Sequence, residues 1–304
     1  MKQSQNSLIL IRPKAFGFNS ETAASNGFQK ESNLSKEEIH AKALKEFDRL
    51  VVTLNNHDIF TTVLEDSDTP EKPDAVFPNN WLVTMPGGRV YLFPMMAKNR
   101  RAEVRMELIE ELAGDFEVED VVDASAKATE NQFLEGTGSM VFDHANQWIY
   151  ACRSERTHEG LLREFAENIG YKVHLFDSVD ANGKPIYHTN VMMAQGTGYV
   201  LFCGESLKDN PRATVDLLFE NNETVVDLTY YQIEKFAGNA LEVTSVHGKR
   251  FLLLSQTAYN SLEAAQKSQI SVHAEMIPID IPTIERVSGG SVRCMLAENW
   301  LTPK

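Results

Sequence analysis

The chain has few cysteines, no long apolar run and no excess of basic charge, and each shortage removes a class of protein. Three cysteines in 304 residues, at 152, 203 and 294, give neither a disulfide framework nor a zinc-ligand spacing. A reducing, cytoplasmic setting is expected from that usage. No apolar stretch approaches the roughly 18 residues that cross a bilayer. A leader is not expected either, because Met1–Ser7 is polar and only Leu8–Ile11 follows as an apolar run. A formal net charge of −14 argues against nucleic acid and anionic membrane as partners. Pro-rich and Gly/Ser-rich linkers are also missing, so one domain spanning 1–304 is expected. The chain is 42% apolar, which is enough for a sizeable core.

Four segments share a pattern of a glycine turn, an apolar strand and then a helical pattern. They begin at Gly87-Gly88, Gly136-Thr137-Gly138, Gly196-Thr197-Gly198 and Gly248. The spacing predicts an internal repeat of 50–60 residues, in the range of propeller-type units. Leu8–Ile11 and the region of Cys294 are placed to supply and close a fifth unit, which would protect sheet edges. Ser35-Lys36-Glu37-Glu38 is a capping box before an apolar stripe of Ile39, Ala43, Phe47, Leu50, Val51 and Leu54, so a packing helix is predicted over 35–55. The polar stretch Asn19–Ser35 reads as a loop or flap.

Reactive chemistry is suggested first by Cys294, in Ser288-Gly289-Gly290-Ser291-Val292-Arg293-Cys294. A thiol near positive charge and aligned N–H groups becomes a nucleophile more easily. Three other spots carry polar residues beside strands: Phe77-Pro78-Asn79-Asn80-Trp81, Glu135-Gly136-Thr137-Gly138 and Tyr187-His188-Thr189-Asn190. Each taken singly is also ordinary turn grammar. Of the eight histidines, only His188 shares a turn with an apolar strand and a second polar ligand; His57 and His144 sit in polar runs. A Cys–His–Glu set can run nucleophilic catalysis, with the thiolate attacking and the imidazole moving protons.

With these residues assembled, the chain resembles the guanidino-group modifying superfamily. Within it, the resemblance is greatest to the citrulline-hydrolase-like "amidinotransferase" branch. The motifs run from Ile11-Arg12-Pro13 to Cys294, and Asn80, Glu135, Arg156, His188 and Cys294 stand in the family order. The resemblance implies an α/β fold, a five-bladed propeller of ββαβ units around a central site. It implies Cys294 as nucleophile, His188 as acid and base, and Glu135 as the orienting acid. Arg156 would hold a substrate α-carboxylate, with Arg100 or Arg101 as a second such arginine. No metal and no organic cofactor is required. The partner would be a small amino-acid substrate, and a homo-oligomer is compatible with the sequence.

The departures from the family carry the most information. Where deiminases have Phe-x-Arg-Asp and His-x-Asp, this chain has Phe77-Pro78-Asn79-Asn80 and His188-Thr189-Asn190. Two carboxylates have become amides. A guanidinium offers donors only and is held best by charged acceptors, whereas a neutral ureido group offers both donors and an acceptor, which Asn complements. A citrulline hydrolase is therefore expected, yielding ornithine, ammonia and carbon dioxide. A guanidine hydrolase, an amidinotransferase and a non-catalytic binding protein are the alternatives. Gly138 also stands where the family has a further acid, which leaves that acid's role unfilled.

Overall fold

Strands form where apolar residues run without interruption. The computed structural model, which describes residues 1–23 and 25–304, contains 15 of them in five three-stranded sheets. In chain order they are β1 (Ser7–Arg12), β2 (Phe60–Glu65), β3 (Leu82–Met85), β4 (Arg89–Leu92), β5 (Asp120–Asp123), β6 (Val141–Asp143), β7 (Trp148–Cys152) and β8 (Lys172–Phe176). There follow β9 (Met193–Gln195), β10 (Tyr199–Phe202), β11 (Thr224–Asp227), β12 (Leu241–Thr244), β13 (Arg250–Ser255), β14 (Glu275–Ile279) and β15 (Ala297–Glu298). Four sheets follow one plan: an antiparallel hairpin, a crossover through helix, and a third strand parallel to the second. In the remaining sheet the first strand comes from the far end of the chain: β15 pairs antiparallel with β1, and β1 pairs parallel with β2. The first and last segments thus close one unit, as the sequence predicts. The sheets are separate and open, and none closes on itself among the described residues.

The middle strand of each sheet reads as a continuous apolar run because both of its faces are covered. In β1, Leu8 and Leu10 face one apolar cluster while Ile9 and Ile11 face another. In β4, Val90 and Leu92 join one cluster and Tyr91 the next; in β7, Ile149 and Ala151 part from Tyr150 and Cys152 in the same way. The core therefore lies between neighbouring sheets, and each fully buried Leu or Ile contributes about 1.5–3 kcal/mol. Burial falls outward: β3, β6 and β9 are wholly buried, whereas β5 at the parallel edge is largely exposed.

The long helix is Lys36–Asn56, with both halves of the Ser35–Glu38 capping box formed and Ile39, Ala43, Phe47, Leu50 and Leu54 buried. The polar break at Ser154–Thr157 leads into the helix Glu159–Ile169, capped by the His158 side chain. One of the four glycine segments differs from the other three in its place. Gly136-Thr137-Gly138 does not join two antiparallel strands but forms the helical turn Gly136–Ser139 ahead of β6, entered through Gly136 at a positive φ of 43°. The hairpin of that unit lies at 144–147, where Gln147 adopts the left-handed conformation that glycine takes elsewhere.

His144 is another departure from expectation: it is buried, not part of a solvated run. Its ring stacks on Phe142, lies 4.7 Å from Trp300, and bonds the Tyr171 hydroxyl through Nδ1 at 2.8 Å. Burial, with help from Arg293, lowers its pKa from 6.5 to about 3. Above pH 6.5 neither state binds the proton; as pH falls toward about 3 only the unfolded chain does, so stability falls. Near pH 4.5 this group should cost the wild type about 2–3 kcal/mol relative to neutral pH. His144→Phe should remove that share of the acid sensitivity, read from urea unfolding at the two pH values; equal slopes in both proteins would refute it.

Candidate active site

The chain makes a short turn ahead of the first strand of every sheet, and these turns meet. Pro78–Asn80 packs on Gly136–Ser139 and on Val292–Met295, and Gly136–Ser139 packs in turn on Thr189–Val191. The fifth turn runs through Asn239, ahead of β12. Gly138 is needed at this junction: a Cβ there would lie 2.5 Å from Asn80 Nδ2 and 2.8 Å from the His188 ring. The acid that the resemblance places at this position would therefore collide with two other site residues. The four widely separated motifs are brought together as the sequence reading expects, and Asn239 is added to them.

Cys294 is buried at the start of this junction. Its Sγ lies 3.2 Å from Asn239 Nδ2 and 3.8 Å from Asn190 Nδ2. The arginine beside it has a different role from the one expected. Arg293 turns its guanidinium away, onto the Leu296 carbonyl at 2.7 Å and Glu298 at 3.2 Å. Two side-chain amides, not a neighbouring cation, are what the structure sets against the sulfur, with the Asn239 N–H nearer than its Oδ1 at 3.6 Å. Burial pushes the Cys203 thiol up to about 12 and also raises that of Cys152.

His188 Nε2 is 2.8 Å from Glu135 Oε2. Glu135 has no exposed surface and also accepts from Arg156 Nη1 at 3.2 Å and from the Met96 N–H at 2.9 Å. Burial pushes the Glu135 carboxyl up, but Arg156, His188 and Arg100 overcome it and hold the group well below the usual carboxylate range. Burial lowers His188 in spite of Glu135, with Arg156 and Arg100 acting the same way, so the imidazole is neutral at pH 7. An ionised carboxylate accepts only, so the network assigns the ring proton to Nε2 and leaves the Nδ1 lone pair free.

The two amides before β3 differ in their partners. Asn80 Oδ1 accepts from Arg100 Nη1 at 2.8 Å, whereas its Nδ2 is buried without a partner. A guanidinium can only donate, so this contact fixes the flip of the amide and leaves both of its N–H donors free. Asn79 is fully buried with both amide atoms unpartnered. Arg100 itself is saturated: it grips Glu103 bidentately at 2.9 and 2.8 Å and lies 3.8 Å from Asp74. It therefore orients Asn80 and holds two buried carboxylates, and has no fork left for a substrate carboxylate. Arg101 donates to the Met95 and Met96 carbonyls.

Between these groups is a cavity of about 30 Å³, lined among others by Asp74, Asn80, Arg156, His188, Gly290 and Cys294. It could hold about one water molecule. Of the expected flap, Asn19–Ser35, the described residues 19–23 and 25–30 lie across it. Asn19 Nδ2 bonds Asp74 at 2.7 Å, the Ser25 hydroxyl meets Arg156 Nη2, and Asn26 Nδ2 bonds the Ser288 carbonyl at 2.9 Å. Beyond Arg156 and Tyr187 opens a cleft of about 1280 Å³ that shares Ser25 and Phe28 with this strap. Buried polar atoms without partners belong to residues that line the cavity: Asp74 Oδ1, Asn80 Nδ2 and Arg156 Nε. Such atoms are rare in folded chains and call for a ligand or water. Asp74 and Asn239 were missed in the sequence; Asp74 stands just before Phe77-Pro78-Asn79-Asn80, and Gly238-Asn239 repeats the habit of a glycine beside a polar residue ahead of a strand. Among the described residues no group of three or more His, Cys, Asp or Glu side chains is placed to hold a metal ion. No helix among them is long and apolar enough to cross a membrane.

Comparison with known proteins bears on the family and the fold. The family model for N,N dimethylarginine dimethylhydrolase, eukaryotic, matches residues 12–301. No curated protein matches by sequence. Among solved structures the chain is similar to ArgZ, an arginine dihydrolase from cyanobacteria, at 16% identity and a TM-score of 0.75 over 98% of this chain and 41% of that one. The chain thus spans about two fifths of that enzyme's length; over the N-terminal domain of ArgZ alone, the match covers 97% at 15% identity and a TM-score of 0.73. It is also similar to DDAH from Pseudomonas aeruginosa complexed with citrulline, at 16% identity and a TM-score of 0.67, over 98% of this chain and all of that one. The structural likenesses are likenesses of fold; the family model decides kinship, and the chain belongs to the N,N dimethylarginine dimethylhydrolase family, within the guanidino-group modifying superfamily of hydrolytic enzymes.

Proposed function

We propose that this chain hydrolyses a free ureido amino acid, citrulline first, to ornithine, ammonia and carbon dioxide. In this reading residues 1–304 form one domain, with the five sheets as blades around the site. The observation that carries the proposal is the contact between Arg100 and Asn80. It aims amide donors, without a partner, at the cavity. A ureido oxygen would accept them; a guanidinium, which has no acceptor, would face donor against donor. Asn190, whose Nδ2 lies 3.8 Å from Cys294 Sγ, is the second amide beside the reacting sulfur. Arg156 retains an unpartnered Nε–H for the α-carboxylate. The cavity is smaller than an amino acid, so the strap at 19–30 has to move to admit one.

In the reaction, the free Nδ1 of neutral His188 takes the thiol proton and the Cys294 thiolate attacks the ureido carbon. His188 passes that proton to the δ-nitrogen as the C–N bond breaks. Ornithine leaves and a carbamoyl group remains on sulfur. His188 then takes a proton from water, whose oxygen attacks the carbamoyl carbon; the C–S bond breaks, His188 returns that proton to the sulfur, and carbamic acid decomposes to ammonia and carbon dioxide. Glu135 holds the Nε2 proton throughout and orients the ring. Covalent chemistry on this fold has a precedent: the ArgZ N-terminal domain has been solved covalently bound to a reaction intermediate.

One observation favours a second reading, arginine dihydrolysis. Asp74 borders the cavity and Glu135 bonds two residues that do, so carboxylates stand close enough to meet a guanidinium. Ammonia, dimethylamine, citrulline and ornithine should be measured with citrulline, arginine and N,N-dimethylarginine in parallel; dimethylamine and citrulline from N,N-dimethylarginine, with citrulline inert, would overturn the ureido reading. One ammonia per ornithine from citrulline, with arginine inert, is the expected result. Two ammonia per ornithine from arginine would make the chain a dihydrolase. Arginine stopping at citrulline would overturn the amide argument, and no turnover of any of the three would favour amidino transfer or binding alone.

A further inference from the structure

Asn239 is buried and was not among the residues expected at the site, yet it is the polar side chain nearest the reacting sulfur. Its amide can be oriented without ambiguity. Oδ1 accepts the backbone N–H of Arg293 at 3.1 Å, and Nδ2 donates to the Asn190 carbonyl at 3.1 Å. An N–H cannot be accepted by NH₂, nor can a carbonyl donate, so both backbone contacts demand the same flip. One N–H of Nδ2 then remains, and it faces Cys294 Sγ at 3.2 Å, while Oδ1, already taken by the Arg293 N–H, lies farther from the sulfur at 3.6 Å and can accept only from the neutral thiol.

We infer that Asn239 is a catalytic residue that stabilises the Cys294 thiolate by this fixed N–H and holds the sulfur's position against the turn carrying Asn190. The inference rests on the reading of Cys294 as nucleophile. A hydrogen bond to a charged acceptor is stronger than one to a neutral acceptor, so the contact favours thiolate over thiol. The clamp also joins three turns: Arg293 and Cys294 from one, Asn239 from the second and Asn190 from the third. The guanidinium of Arg293, being directed elsewhere, does not supply this effect.

The test is the rate of Cys294 alkylation by iodoacetamide across pH, followed by mass spectrometry of the labelled peptides. In wild type Cys294 should label selectively, because Cys152 and Cys203 are buried and raised. Asn239→Ala should move the midpoint of the rate–pH curve up by about one to two pH units. Asn239→Asp, which sets an anion against the sulfur, should move it further. Opening of the strap scales rates at every pH alike and leaves the midpoint in place. A uniformly slower reaction with an unchanged midpoint would reduce Asn239 to a structural role and overturn the inference. If Cys152 and Cys203 label along with Cys294, the variant has unfolded. The wild type then decides: the Asn239 side-chain NH₂ signals in NMR should titrate with the midpoint of alkylation, and signals that stay fixed would overturn the inference. If wild-type Cys294 labels no faster than the other two thiols, the nucleophile reading fails first, and separately.

Discussion

Cys294→Ala should lose turnover by at least about 10⁴-fold while remaining folded. The size of the effect follows from the route. With the thiolate, a resistant C–N bond is broken in two steps through a carbamoyl enzyme; without it, water would have to attack a neutral ureido carbon directly. What remains is binding and the positioned donors of Asn80 and Asn239. The mutation removes one small buried side chain, so stability should change by only about 1 kcal/mol. Substrate should still bind, because Asp74, Asn80 and Arg156 are untouched and none of them bonds the sulfur. The measurements are ammonia release, thermal unfolding and equilibrium binding of citrulline to the variant. Activity within tenfold of wild type would leave the covalent route without support. The control is Cys203→Ser: that thiol lies within an apolar cluster away from the cavity, so any effect should be on stability.

Much of this arrangement could be read from the chain because its causes are local. Glycine turns, apolar runs and the Ser35–Glu38 capping box act over a few residues, and they gave the repeat, the long helix and the closing of the first unit by the last. The different place of the turn at Gly136 has a physical reason. A glycine before an apolar strand suits either a hairpin or a helical turn, and the choice is made by a distant partner, here the Pro78–Asn80 turn. The site followed the same division. Cys294, His188, Glu135 and Arg156 could be named from their motifs. The direction of a side chain could not: Arg293 looked like an activator of the thiol and is bound to Glu298, and Arg100 looked like a carboxylate clamp and is consumed by Glu103. Asn239 carries no motif, and its role rests on contacts with residues 49 and 55 positions away.

Asn80→Asp should reduce citrulline turnover by about 10²–10³-fold and raise the ratio of arginine to citrulline turnover. The substitution is isosteric and keeps an oxygen on Arg100 Nη1, so the ion-pair cluster of Arg100, Glu103 and Asp74 need not rearrange. The other end of the side chain changes from two N–H donors to an acceptor oxygen. A ureido oxygen, which the amide would have met as a donor, then faces a lone pair, and that loss is of the kind suffered when an oxyanion-hole donor is removed. A guanidinium gains an acceptor at the same point. Arg100 decides whether the change is read as chemistry or as damage. It fixes the orientation of Asn80 in the wild type and neutralises the new carboxylate in the variant. Replacing Arg100 instead would abandon two buried acids and cost about 3–5 kcal/mol of stability, so it could not isolate the donor. The measurement is kcat/KM for both substrates in wild type and Asn80→Asp, with unfolding curves to show equal stability. A parallel fall for citrulline and arginine would mean that the donor does not choose between them, and the ureido assignment would lose the contact on which it stands.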